Sequence, residues 1–481
     1  MTALTVLAVT SEIYPFIKTG GLADVTGALP LALRRHGVTT VTLVPGYPAV
    51  MKAIAQSDRV LAFDDLFGGS ASVLRANSAG LDLLVLDAPH LFDRPGNPYT
   101  GPDGGDWPDN AFRFGALAFA AARIALGDIA GFVPDVVHGH DWQAGLAMAY
   151  LAYQERPRPA TVLTVHNLAY QGQFPPDLLE RLALPPQALS IDGVEAYGMI
   201  SFLKAGLQFA DRITTVSPTY AQEIQGPENG CGLDGLLRAR SSDLSGIRNG
   251  IDTDVWNPET DPRIASRFGL ATLPDRAPNK AALQQRFGLA PNPDALLFAV
   301  ISRMAWQKGL DLLADAVPAL VAHGAQLAVL GTGEPDLERR LTTLAGEHRG
   351  QVGCIVGYDE DLAHLIQAGT DALLVPSRFE PCGLTQLCAM RYGAIPVVAK
   401  VGGLADTVAD LGQGSLQATG FQFSPVTREA LEAALRRAAN VWSDRPAWQA
   451  LQSNAMRADV SWDEPAGEFL RLYAGLLASK N

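Results

Sequence analysis

LTVLAVTSEIYPFIKTGGLADV, residues 4–25, runs an apolar strand into a loop and then into a Gly-Gly turn that opens a helix. IPVVAKVGGLADT, residues 395–407, does the same near the other end of the chain. Lys18, Gly20, Gly21, Leu22, Ala23 and Asp24 return there as Lys400, Gly402, Gly403, Leu404, Ala405 and Asp406. Strand, turn and helix repeated in this way predict open α/β sheets, whose ligands bind outside the carboxyl ends of the strands. In both copies the glycines are expected to admit close backbone approach, and the helix to offer unpaired N–H groups to an anion.

The rest of the chain keeps the same rhythm. Apolar runs at 4–10, 38–44, 81–86, 135–140, 161–166 and 212–217 alternate with helical patterns around 21–36, 110–127 and 142–155. A second series of runs at 296–302, 326–331, 352–357, 371–377 and 395–399 alternates with helices around 309–323, 335–348, 360–368, 384–392 and 429–441. Continuous apolar strands separated by helices predict parallel sheets covered on both faces. The Gly-, Asn- and Pro-rich SGIRNGIDTDVWNP at 245–258 breaks the rhythm and marks a boundary. The expected organisation is a Rossmann-like domain over 1–245, a second over 246–461, and a helix over 462–481 that either completes the second or crosses back to the first. Two doubly wound domains facing a deep cleft is the expected architecture.

Composition narrows the function. The chain has 481 residues, 48% hydrophobic and 18% charged, with mean hydropathy +0.09. A net charge of −13 argues against nucleic-acid and anionic-membrane partners. Any anionic ligand must therefore be met by local cations and helix N-termini. Cys231, Cys354, Cys382 and Cys388 form no CxxC or Cys/His zinc spacing, which fits reduced thiols in a cytoplasmic protein. The N-terminal apolar run lacks a basic leader and reads as a first strand. FGALAFAAARIAL at 114–126 is interrupted by Arg123 and too short to span a bilayer, so it reads as a buried helix.

Chemistry-bearing residues gather at strand ends. Arg303 and Lys308 follow the run at 296–302, where a guanidinium fork and a mobile ammonium suit phosphate. SRFEPCGLTQL at 377–387 sets Glu380 at a turn, either holding sugar hydroxyls or capping a helix. The N–H groups of Gly383, Leu384 and Thr385 open that helix. Tyr358 follows another strand and either stacks on a base or packs. In the first half, His140, Asp141 and Trp142 end one strand and His166 and Asn167 another, a blend of polar groups and aromatic faces that suits carbohydrate.

These motifs in combination are specific. SEIYPFIKTGGLADV, HGHDWQAG, VHNLAYQG, VSPTYAQEI, RNGIDTDVWNP, SRMAWQKGLDLL, SRFEPCGLTQL and VGGLADTV closely resemble the bacterial glycogen synthases, relatives of plant starch synthases, across most of the chain. The resemblance implies a retaining glycosyltransferase of the GT-B fold that moves glucose from ADP-glucose to the non-reducing end of an α-1,4-glucan. It implies that Lys18, Gly20 and Gly21 approach the donor diphosphate, that Arg303 and Lys308 neutralise it, and that Tyr358 flanks the adenine. It further implies that Glu380, His166 and Asn249 surround the transferred glucose, with Asp141 toward that glucose and the acceptor. The wider clan often carries a second glutamate eight residues after the first; Cys388 stands there, a form the glycogen synthases share.

No carboxylate stands out as a nucleophile, so front-face substitution without metal or cofactor is the expected mechanism. Lys18 lies in one half and Arg303, Lys308 and Glu380 in the other. The expected site is thus complete only when the halves approach, with Arg248–Asp252 as hinge. The competing readings are a UDP-glucose-dependent glucan synthase, a nucleotide-sugar epimerase-like enzyme, and a silent glucan-binding protein.

Overall fold

The computed structural model describes residues 4–54, 56–102, 104–412 and 417–480. The chain forms two compact units. It leaves the first after Asn249 and returns to it at Trp462, so residues 250–461 make the second. The division falls four residues beyond the boundary expected at 245.

In the first unit a nine-stranded sheet runs Leu244–Gly246, Arg212–Thr215, Ala160–Val165, Val136–His140, Leu4–Val9, Val38–Pro45, Leu81–Asp87, Ala71–Ser78 and Asp58–Phe63. Seven strands are parallel, and the last two add an antiparallel hairpin at one edge. Chain order reverses between Leu4–Val9 and Val136–His140, so the loops after these two strands diverge at the switch point.

The helix Asp463–Lys480 belongs to this unit. Its Ala466, Phe469, Tyr473 and Leu476, with Trp462, pack in one core with Val25, Leu29, Ala32 and Leu33 of the helix Gly21–Arg35. Burying each large apolar side chain is worth about 1.5–3 kcal/mol, enough to hold a terminal helix. Of the two placements open from the sequence, the structure takes the return to the first unit.

In the second unit a six-stranded, all-parallel sheet runs Val352–Val356, Gln326–Gly331, Leu297–Ile301, Ala372–Val375, Ile395–Ala399 and Phe421–Phe423. Neighbouring residues along a strand face opposite ways. Phe298 and Val300 accordingly enter one buried core while Leu297 and Ala299 enter another. The sheet is thus covered on both faces. Its switch point lies between Leu297–Ile301 and Ala372–Val375.

Candidate active site

In the second unit the two loops at the switch point are stitched together. Gly309 sits at φ +68, and a Cβ there would lie 2.0 Å from the carbonyl oxygen of Pro376. Only glycine lets the turn Trp306–Lys308 and the following helix approach that closely. The Arg378 guanidinium forks onto both Asp311 carboxylate oxygens at 2.7 Å, donates to the Trp306 carbonyl at 2.6 Å and lies over the Trp306 ring. Gln307 Nε2 donates to the Phe379 carbonyl at 3.3 Å.

This stitching brings Lys308 to Glu380. Lys308 Nζ donates to Glu380 Oε2 at 2.6 Å, and Ser377 Oγ donates to the same oxygen at 2.9 Å. Glu380 is 7% exposed. Its side chain thus serves an ion pair, and the helix-capping alternative does not describe it. Lys308 has two further ammonium protons for an anion. Arg303 is exposed and donates to Gln307 Oε1 at 3.4 Å. Tyr358 is exposed, with its hydroxyl on Glu360 Oε2 at 2.5 Å. Gly383, Leu384 and Thr385 precede or open the seven-residue helix Thr385–Arg391, where Gln386 Nε2 donates to the Cys382 and Gly383 carbonyls.

The two GGLAD copies do different work. Gly20 caps the fifteen-residue helix Gly21–Arg35, and a Cβ added to it would meet nothing within 4 Å. Lys18 Nζ pairs with Asp24 Oδ1 at 3.0 Å and lies over the Tyr14 ring, so the motif's own aspartate steers its lysine. In the second copy the Gly403 N–H donates to the carbonyls of Glu380 and Pro381, each at 3.1 Å. A Cβ on Gly403 would lie 2.4 Å from the Cys382 carbonyl oxygen. The expectation that both copies offer unpaired N–H groups is corrected here: the second spends its N–H bracing the Glu380 loop. Gly403→Ala should therefore cost about 1–3 kcal/mol by overpacking, read as a lowered Tm. Gly20→Ala, where a Cβ meets nothing, should leave Tm unchanged. A Gly403→Ala variant as stable as wild type would refute the bracing role.

The first unit repeats the pattern of one strand end tied to the next. Asp141 follows the strand Val136–His140 at φ +57, a conformation that Asp tolerates better than most residues. Its Oδ1 accepts from the backbone N–H of His166 at 2.7 Å and of Asn167 at 3.3 Å. Burial pushes the Asp141 carboxyl up to about 7, against the two N–H groups that pull it down. His140 Nδ1 and His166 Nε2 lie 3.0 Å apart. Burial holds His138 and His166 down to about 3 and His140 well below its ordinary value, so all three rings are neutral at pH 7. Asn249 is buried at the end of the unit. Trp142 packs among Phe114, Phe174 and Phe202, with Gly172 leaving room for its ring. Its role there is packing.

The structure adds residues that the motifs do not mark. Glu12, 2% exposed, accepts from the Thr19 hydroxyl at 2.7 Å and also from the Thr19 N–H and the Tyr99 hydroxyl, fixing the loop that carries Lys18. Ser377 and His138 are two more. The i, i+2 spacing of His138 and His140 on one strand was the available signal, since it puts both rings on one face.

An ammonium paired with a buried carboxylate at a Rossmann switch point, in a chain of two such units, fits the architecture of a GT-B glycosyltransferase. Residues 5–239 match the starch synthase catalytic domain family, and residues 282–452 match glycosyl transferases group 1. A glycogen synthase of Rhodopseudomonas palustris strain BisB18 is 62% identical, covering 100% of this chain and 99% of the relative. Glycogen synthase 2 of Bradyrhizobium diazoefficiens is 57% identical over 100% of both chains. Among solved structures, the catalytic domain of starch synthase IV from Arabidopsis thaliana, bound to ADP and acarbose, superposes with a TM-score of 0.88 at 32% identity, covering 99% of this chain and 100% of the other. The chain belongs to the glycogen and starch synthase family of hexosyltransferases.

No helix of the described residues is long and apolar enough to cross a membrane. Among the same residues no group of three or more His, Cys, Asp or Glu side chains is arranged to hold a metal ion.

Proposed function

We propose that the enzyme transfers glucose from ADP-glucose to the non-reducing end of an α-1,4-glucan with retention of configuration, in the cytoplasm. The observation that carries the reading is the Lys308–Glu380–Ser377 cluster at the second sheet's switch point. Family membership and the ADP-bound relative support it. In this reading Lys308 and Arg303 take the donor phosphates, and Lys18 and the Gly20-Gly21 turn are further phosphate-binding groups. The N–H groups of Gly383, Leu384 and Thr385 add to them, and Tyr358 flanks the base. Glu380, His166 and Asn249 hold the glucose, and Asp141 faces the acceptor.

The bond from glucose C1 to the diphosphate oxygen breaks while cations neutralise the leaving charge. The acceptor hydroxyl attacks C1 from the same face and passes its proton to the departing phosphate oxygen. A glucosyl adduct trapped on Glu380 or Asp141 would overturn this scheme. Incubation with labelled ADP-glucose and glycogen tests the function: label should enter α-1,4-linked polymer. Preference for UDP-glucose, or release of nucleotide without chain growth, would overturn it. Lysine and arginine supply the positive charge in this scheme, so EDTA should leave turnover unchanged. Loss of activity restored by Mg²⁺ would show otherwise.

A further inference from the structure

Beneath His166 lies a column that reaches the far end of the chain. Tyr473, on the helix Asp463–Lys480, places its hydroxyl 2.8 Å from His138 Nδ1, and His138 Nε2 lies 2.6 Å from Thr164 Oγ1. Thr164 Oγ1 in turn lies 2.6 Å from Thr214 Oγ1, which extends the polar contacts across three neighbouring strands. The His138 ring packs on His140 with centroids 4.3 Å apart, and His140 bonds His166 at 3.0 Å. A cavity of about 10 Å³, lined by Thr40, His138, His140 and Tyr473, adjoins the rings. The His138 ring also packs on Phe469 with centroids 5.3 Å apart, so hydrogen bonds and ring contacts together set its plane.

A neutral imidazole donates from one nitrogen and accepts at the other. Whichever role His140 Nδ1 takes toward His166 Nε2 decides what His166 Nδ1 offers in return. The ring orientation of His138 is anchored at both nitrogens, and His140 rests on that ring. Burial that keeps all three rings uncharged is consistent with a column that sets orientation and tautomer and stores no proton.

We propose that Tyr473 is a positioning residue for His166, acting through His138 and His140, so that the last helix of the chain belongs to the catalytic apparatus. The proposal rests on the reading that His166 faces the transferred glucose. Tyr473→Phe removes one hydroxyl and keeps the ring in its core. It should lower kcat about five- to tenfold, the worth of roughly one hydrogen bond, and leave the donor KM within about twofold. The ring ¹⁵N signals of His166 should shift as well.

Leu476→Ala is the control. Leu476 is buried in the same core and bears no part of the column, so it should lower Tm and leave kcat and the His166 signals unchanged. The proposal fails if Tyr473→Phe retains wild-type kcat and His166 signals. It also fails if Leu476→Ala reproduces both changes, because the effect would then be general loosening. His166→Ala separates the underlying reading: wild-type turnover in that variant would remove His166 from the site, whatever Tyr473 does to its ring.

Discussion

Lys308→Ala should lower kcat on the order of 10²–10³, the usual cost of removing one group aimed at developing charge. In the proposed reaction, charge builds on the diphosphate as the C1–O bond breaks, and Lys308 offers the ammonium. Glu380 Oε2, at 2.6 Å, holds that ammonium at the strand end, and Ser377 at 2.9 Å holds Glu380. Glu380→Gln keeps the shape and an acceptor oxygen while removing the charge, so the fold should survive and turnover should fall by a similar factor. Because the two side chains act as a unit, the double variant should lose little more than the worse single one. Steady-state kinetics with matched Tm values tests this. Wild-type turnover in Lys308→Ala would remove that residue from the chemistry, and an unfolded Glu380→Gln would mark Glu380 as structural. Fully additive losses would mean that the ion pair has no shared function.

The cluster was legible in part, for reasons visible in particular residues. The parallel strands were readable because both of their faces are buried, which forces continuous apolar runs such as LLFAVIS. The edge hairpin is not legible as a buried run, because Asp58–Phe63 buries only Phe63 and ASVLRANS mixes core and solvent positions. The helix Ala277–Arg286 buries Asn279, Lys280 and Gln284 along with Leu283, so no apolar stripe marks it in sequence.

For the site, residues at strand ends were readable because chemistry gathers there by topology. Their partners were less so. Nothing in KTGGLAD and KVGGLAD reveals that one copy opens to solvent and the other braces the Glu380 loop; that depends on the Cys382 backbone lying against Gly403. Glu12 and Tyr99 are far apart in sequence and meet only in the fold. The link from Tyr473 to His138 spans 335 residues, beyond any local pattern.

Asp141→Asn should lower kcat by roughly 10², the scale of a lost acid–base or charge-positioning group, and should also change how stability depends on pH. Asparagine tolerates the left-handed backbone at φ +57 and keeps an acceptor oxygen for the His166 and Asn167 N–H groups. The turn should therefore persist while the titrating group disappears. In the wild type, burial lifts the folded carboxyl to about 7 from an ordinary value of 3.8. Between these values the folded state holds the extra proton, so stability falls as pH rises and the loss is complete above about 7. The buried histidines act with the opposite sign. Held down to about 3, His138 and His166 destabilise the fold as pH drops below 6.5, but they do so equally in both proteins and cancel from the difference. The Tm of Asp141→Asn minus that of wild type should therefore rise between pH 5 and pH 8, by on the order of 2–4 °C for each kcal/mol gained. In activity, wild-type kcat should climb through a limb near pH 7 as Asp141 ionises, and the variant should lack that limb. A Tm difference that stays flat across this range, or an unchanged limb in the variant, would show that Asp141 does not titrate near neutrality and would return the limb to another group.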